Sequence, residues 1–207
     1  MKYQEILRAG YNKIAEEYQR WSGTVRLAER EFYTQMTLDS FQQEADILEI
    51  GCGTGIPTTK TLSRKFMVTG IDISDEQVRQ AEENIPQAVF IRDDVLVREF
   101  QESCFDGVVS FYALGHIPRQ QLPELLANIH RWLRKNGQVV LSFATGNYPD
   151  HIDRDFLGAQ MFFSSYDALT NRKLLQQAGF EILYDKVETE EEFGQSISFH
   201  WVKAKRI

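Results

Sequence analysis

The sequence predicts an α/β fold built on a mostly parallel sheet, and three observations carry that expectation. From residue 46 onward short apolar runs alternate with amphipathic segments, the pattern of βαβ units. The early runs are rich in Val, Ile and Phe and mostly do not alternate, as strands covered on both faces should read. The last two runs lack a helix between them, which fits an antiparallel pair rather than a crossover.

The elements follow in order. Tyr3, Leu7, Tyr11, Ile14, Tyr18 and Trp21 recur at helical spacing and predict an amphipathic helix, and a second helix is expected over roughly Val25 to Gln42. Seven strands are expected at Asp46–Ile50, Phe66–Ile73, Ala88–Arg92, Phe105–Phe111, Gln138–Phe143, Phe180–Val187 and Ile197–Lys205. Ser74 with Gln77 forms a capping box for a helix that stops before Pro86, and Pro57 suits the first turn of the helix after the first strand. Asn136-Gly137 is expected to close a helix running from about Gln120 to Lys135. Ser164 with Asp167 should open the last helix and Gly179 end it. The acidic run Glu188 to Glu192 reads as a solvated turn joining the last two strands.

The chain has 207 residues, enough for one substantial core, and we expect a single domain over 1–207. Residues 1–44 form an amino-terminal helical cap in this reading. Residues 145–164 are too long for an ordinary connection and are expected as a lid or acceptor wall, against a plainer reading as a packed inserted helix. A formal charge of −7 disfavours nucleic acid and anionic membranes as partners. Without a signal-like amino terminus or an apolar run long enough to span a bilayer, the expectation is a cytoplasmic protein with Cys52 and Cys104 as free thiols. No cluster at metal-ligand spacing is apparent, so no metal is expected.

The chemistry concentrates after the first strand, in Leu48-Glu49-Ile50-Gly51-Cys52-Gly53-Thr54-Gly55. Glycines there let the backbone approach a ligand at the carboxyl edge of the sheet. A dinucleotide fingerprint needs a glycine where Ile56 stands, and Glu49 would repel a pyrophosphate but attract an ammonium or sulfonium group. No Gly-Lys-Ser/Thr tail follows, which removes the P-loop reading. Asp72, ending the second strand, is placed to accept from both hydroxyls of a ribose, with Ile73 against the base. Asp94, after the third strand, is placed to accept from an adenine amino group, although its neighbour Asp93 competes for that role.

These residues resemble the class I S-adenosylmethionine-dependent methyltransferases, particularly their broad small-molecule branch, over nearly the whole chain. The resemblance implies a Rossmann-like seven-stranded sheet of order 3-2-1-4-5-7-6 with strand seven antiparallel and helices on both faces. It implies S-adenosyl-L-methionine as cofactor and S-adenosyl-L-homocysteine as product. Glu49, Gly51 and Gly53 then hold the methionine part, Asp72 the ribose, and Asp94 and Val95 the adenine. The backbone of Ser110 and Phe111 receives the amino group, and Tyr11 and Tyr18 fold over the cofactor. Cys52 contributes its backbone and small size within the loop. His116 lies past the fourth strand and is a candidate base toward the attacking atom of a small-molecule acceptor. Two other readings stay open: an NAD-dependent oxidoreductase, and a non-catalytic module that binds the same cofactor.

Overall fold

The structure, a computed structural model, describes residues 2–207. Its main sheet has seven strands: β1 (Asp46–Ile50), β2 (Met67–Asp72), β3 (Val89–Arg92), β4 (Phe105–Ser110), β5 (Leu133–Ala144), β8 (Phe180–Glu192) and β9 (Gln195–Arg206). A separate hairpin supplies β6 (His151–Phe156) and β7 (Ala159–Phe163). The order in the main sheet is β3-β2-β1-β4-β5-β9-β8, with β9 antiparallel to both of its neighbours. With the hairpin strands set aside, this is the expected order and the expected antiparallel strand.

Successive residues of the central strands bury on opposite faces, so each strand feeds two cores. Leu48, Val108 and Leu141 point toward one face, where α5 (Leu122–Trp132) and α6 (Ala168–Gln177) bring Leu125, Ile129, Trp132 and Leu175. Ile47, Val109 and Val140 point to the other, under Tyr33 of α2 (Leu27–Ser40) and Leu62 of α3 (Thr58–Leu62), with Trp201 of β9 beside them. β3 is an edge strand and is only partly covered.

The long helix α1 (Tyr3–Ser22) lies outside these layers and packs its Leu7 and Ile14 on Met161 and Phe162 of the hairpin. Gly10 permits this approach, since a Cβ there would meet the Gln160 carbonyl oxygen at 2.6 Å. On its other side α1 is tied to α4 (Asp75–Asn84). Arg8 forks onto Asp75 at 2.6 and 2.9 Å, and the Asn12 side-chain carbonyl accepts from the Ser74 hydroxyl at 2.7 Å and the Glu76 amide at 3.2 Å.

Several expected boundaries move. The helix expected to reach Lys135 ends at Trp132, because Leu133 is fully buried as the partner of Phe105 and Arg134 turns to bond Asp106 and Asp46. The Asn136-Gly137 turn, with Asn136 at φ +63°, thus falls inside β5. Asp167, not Ser164, caps α6 by accepting from the Thr170 amide; Ser164 instead accepts from the Arg119 amide and donates to Asp150. At α4 only half of the capping box forms: Ser74 accepts from the Gln77 amide, and the Gln77 side chain does not return. The segment 145–164 holds a hairpin rather than a helix.

The acidic run Glu188 to Glu192 is not a solvated turn. It extends β8, paired with β9 down to Glu192↔Gln195, and the turn is only Phe193-Gly194, both at positive φ. Glu192 is drawn inward by Arg26, which also bonds Glu29 at 2.9 Å, and Tyr33 donates to Glu188. No helix among the described residues is long and apolar enough to cross a membrane.

Candidate active site

The carboxyl ends of β3, β2, β1 and β4 lie side by side, and the chain leaves each of them into one cleft under α1. The cleft holds about 730 Å³, open solvent at its mouth included. Tyr11, Tyr18, Gly51, Gly53, Asp72, Ile73, Asp94, Val95, Phe111 and His116 all line it. A second hollow beside the glycine loop is lined by Glu49 and Cys52 and shares Tyr18, Gly51, Gly53 and Phe111 with the first. Of the expected site residues only Ser110 stands apart, fully buried with its hydroxyl donating to the Ile50 carbonyl at 3.0 Å.

Gly51 and Gly53 both sit at positive φ, and a Cβ on Gly51 would collide with Ala113. The loop is tied to β2 through Asp72, which accepts from the Gly53 amide at 3.0 Å and from the Ser74 amide at 2.9 Å. One carboxylate thereby fixes both the glycine loop and the start of α4. Burial raises the Asp72 pKa, against the lowering effect of these amides. Asp94 accepts from the Leu96 amide at 3.0 Å and from the Tyr3 hydroxyl at 3.4 Å, while Asp93 is turned to its own following amide and to Arg98.

Glu49 is buried with the Thr59 hydroxyl donating to it at 2.6 Å. Burial pushes its pKa up to about 8, with Thr59 and Arg30 pulling it down and Asp72 adding to the rise. The folded protein therefore holds a proton on Glu49 that the unfolded chain releases near pH 4.5. Stability from this group is complete below that pH and is lost as pH rises toward 8. We expect the melting temperature of the ligand-free wild type, relative to Glu49→Gln, to fall between pH 5 and pH 8 in thermal scans. A constant difference between the two would refute the buried protonated carboxyl.

His116 follows β4 in a 3₁₀ turn, Leu114–His116, and is half-buried. Its Nδ1 lies 2.7 Å from the Phe162 carbonyl of β7 and its Nε2 lies 2.7 Å from the Tyr11 hydroxyl. Burial lowers its pKa to about 4, opposed by the Phe162 hydrogen bond. Both ring nitrogens are thus engaged, and no free basic nitrogen faces the cleft.

No residue of 145–164 is among those lining the cleft, and the hairpin packs behind α1 and His116. Sequence reasoning missed Tyr3, Gln77, Tyr112 and Arg30. Gln77 lines both hollows, is 1% exposed, and neither of its amide atoms has a partner. Arg30 faces the second hollow with Glu49, lies over the Tyr112 ring, and leaves its Nε without a partner. Only the half-used capping box around Ser74 pointed at Gln77 in the sequence. Arg30 sits in a charged helix with nothing to mark it.

A family model described as a methyltransferase domain matches residues 47–137, from β1 into β5. An uncharacterized methyltransferase of Schizosaccharomyces pombe is 30% identical over 189 residues, covering 82% of this chain and 71% of the relative. The chain belongs to the class I S-adenosylmethionine-dependent methyltransferases. Solved structures of that fold agree with the topology. A 1,6-didemethyltoxoflavin-N1-methyltransferase from Burkholderia thailandensis, with its substrate and S-adenosylhomocysteine bound, superposes with a TM-score of 0.74 at 20% identity, covering 99% of this chain and 88% of that one. The magnesium protoporphyrin IX methyltransferase of Synechocystis with bound S-adenosylmethionine gives 0.72 at 17% identity, covering 100% and 98%.

The residues present fit such a cofactor. The deep cleft is lined by three aspartates and by no lysine or arginine, which suits a diol, an amine and a sulfonium and opposes a pyrophosphate. The unpaired Gln77 amide, buried where the two hollows meet, offers both a donor and an acceptor to a polar ligand there.

Proposed function

We propose that this methyltransferase binds its cofactor along the edge of β3, β2, β1 and β4 and methylates a small, uncharged or amine-bearing molecule. The observation that carries this reading is the convergence of Asp72, Asp94 and Glu49 from three adjacent strands on two adjoining hollows that share Gly51 and Gly53. In it Asp72 accepts from the ribose hydroxyls and Asp94, freed from Tyr3, accepts from the adenine amino group. Glu49, which gives up its proton once a cation stands beside it, and Arg30, both facing the second hollow, take the ammonium and carboxylate of the amino-acid end. Gln77 completes the polar lining between them.

When bound, S-adenosylmethionine supplies an activated methyl group, so the chain's own work is mainly to position and desolvate. The rings of Tyr11, Tyr18 and Phe111 cover the cleft and exclude water. The single-domain organisation, with 1–44 covering the cleft and 145–164 bracing that cover, follows from the same picture. A carboxylate-lined cleft disfavours a polyanionic acceptor such as nucleic acid.

Calorimetric titration with S-adenosylmethionine, S-adenosylhomocysteine and NADH tests the assignment. Micromolar binding of the two sulfur nucleotides and none of NADH is expected; binding of NADH alone would overturn it. A cofactor that binds but is never consumed across a broad panel of small amines, phenols and thiols would leave a binding module in place of an enzyme.

A further inference from the structure

The hydrogen-bond polarity around His116 has one solution. The Phe162 carbonyl carries no hydrogen, so the 2.7 Å contact requires the proton on Nδ1. A neutral imidazole with its proton on Nδ1 has a bare Nε2, and the 2.7 Å contact there requires the Tyr11 hydroxyl to donate. A phenol has a single hydrogen. With it given to His116, what the Tyr11 oxygen offers the cleft is lone pairs alone.

Two of the three neighbouring tyrosine hydroxyls are committed in the same sense, that of Tyr18, whose ring stands edge-on to Tyr11, being the third. Tyr112 donates to Glu29 at 2.9 Å and Tyr3 donates to Asp94 at 3.4 Å. The charged side chains of the cleft are all aspartates, acceptors themselves. A carboxylate or phosphate brought against Tyr11 therefore meets lone pairs and negative charge, whereas an O–H or N–H group meets a waiting acceptor.

We propose that the Tyr11–His116 pair selects the methyl acceptor, with Tyr11 an obligate hydrogen-bond acceptor that admits only molecules presenting a hydroxyl or amine hydrogen. The inference rests on the methyl-transfer reading of this cleft. His116 is a positioning residue in it: it acts on the substrate through Tyr11 and not as a base of its own. It also gives the hairpin a role, because the backbone carbonyl of Phe162 sets the tautomer on which the selection depends. The hydrogen bond to Tyr11 fixes the rotation of the incoming group and so directs its remaining lone pair.

Two measurements test this. In protein labelled with ¹⁵N-histidine, long-range ¹H–¹⁵N spectra, assigned by loss of the signal in His116→Gln, report the ring state with and without S-adenosylhomocysteine. A neutral ring with hydrogen on Nδ1 at pH 7 is expected; hydrogen on Nε2, or an imidazolium, overturns the proposal.

Binding of phenol against anisole, and aniline against N,N-dimethylaniline, is then compared by ligand-observed NMR at saturating S-adenosylhomocysteine. The wild type should prefer the hydrogen-bearing member of each pair by roughly five- to tenfold. Tyr11→Phe and His116→Phe should bring that ratio near one. Equal affinities in the wild type, no binding of either member, or an unchanged ratio in both variants overturns the proposal. Failure of the wild type to bind S-adenosylhomocysteine sinks the methyl-transfer reading instead, and is separate because the ring state is also read without ligand.

Discussion

Asp72→Ala is expected to lower affinity for S-adenosylhomocysteine by about 100-fold or more, measured by calorimetry. The carboxylate is asked to do three things: accept from Gly53, accept from Ser74 and receive the ribose. Hydrogen bonds to a charged acceptor contribute about 1.5–3 kcal/mol each, and two lost at the ligand give that factor. The substitution also leaves two backbone amides unpaired at the loop that must cradle the ligand. Asp72→Asn retains one good acceptor and should fall between wild type and Asp72→Ala. An Asp72→Ala protein binding within threefold of wild type would mean that the ribose lies elsewhere.

The second large effect is on stability. Arg26, at φ +51°, is almost wholly buried with Glu29 and Glu192, and its third bond goes to the Ile197 carbonyl at 2.6 Å. Burial works against the guanidinium charge, and the two carboxylates more than offset it. Arg26→Ala leaves two buried carboxylates without their partner, for which about 3–5 kcal/mol of destabilisation is expected in denaturant titrations. The triple variant Arg26→Met, Glu29→Gln, Glu192→Gln removes the charges together and should recover most of the loss. Recovery would assign the cost to unpaired charge; its absence would assign it to lost packing. Glu29 also accepts from Trp201 at 2.7 Å and from Tyr112, which lines the cleft, so the single variant should bind the cofactor more weakly as well.

What the sequence made legible was local. Glu49, Gly51, Gly53 and Asp72 announce themselves because each stands at a strand end, and strand ends are marked by short apolar runs and by turn residues. Arg26 and Glu192 are 166 positions apart, and nothing in an acidic run foretells a buried arginine opposite it. The stripe Leu125, Ile129, Trp132 continues through Leu133, so periodicity could not see the helix stop that pairing with Phe105 imposes. The β6–β7 hairpin escaped for another reason. β6 is almost wholly exposed, leaving no apolar alternation to read, and its turn uses Leu157-Gly158 rather than an Asn-Gly pair. The Tyr11–His116 contact joins two residues whose types had been noticed separately, and only the fold sets them together.

The two flanks of α1 are held by different forces. Toward α4 the grip is polar, through Arg8 and Asn12; toward the hairpin it is mainly apolar, through Tyr3, Leu7 and Ile14 on Met161 and Phe162, with Lys13 donating to the Gly158 carbonyl at 2.6 Å. Salt screens the half-exposed Arg8–Asp75 pair and leaves hydrocarbon packing in place. Ionic strength therefore weakens the α4 flank of the helix more than the hairpin flank.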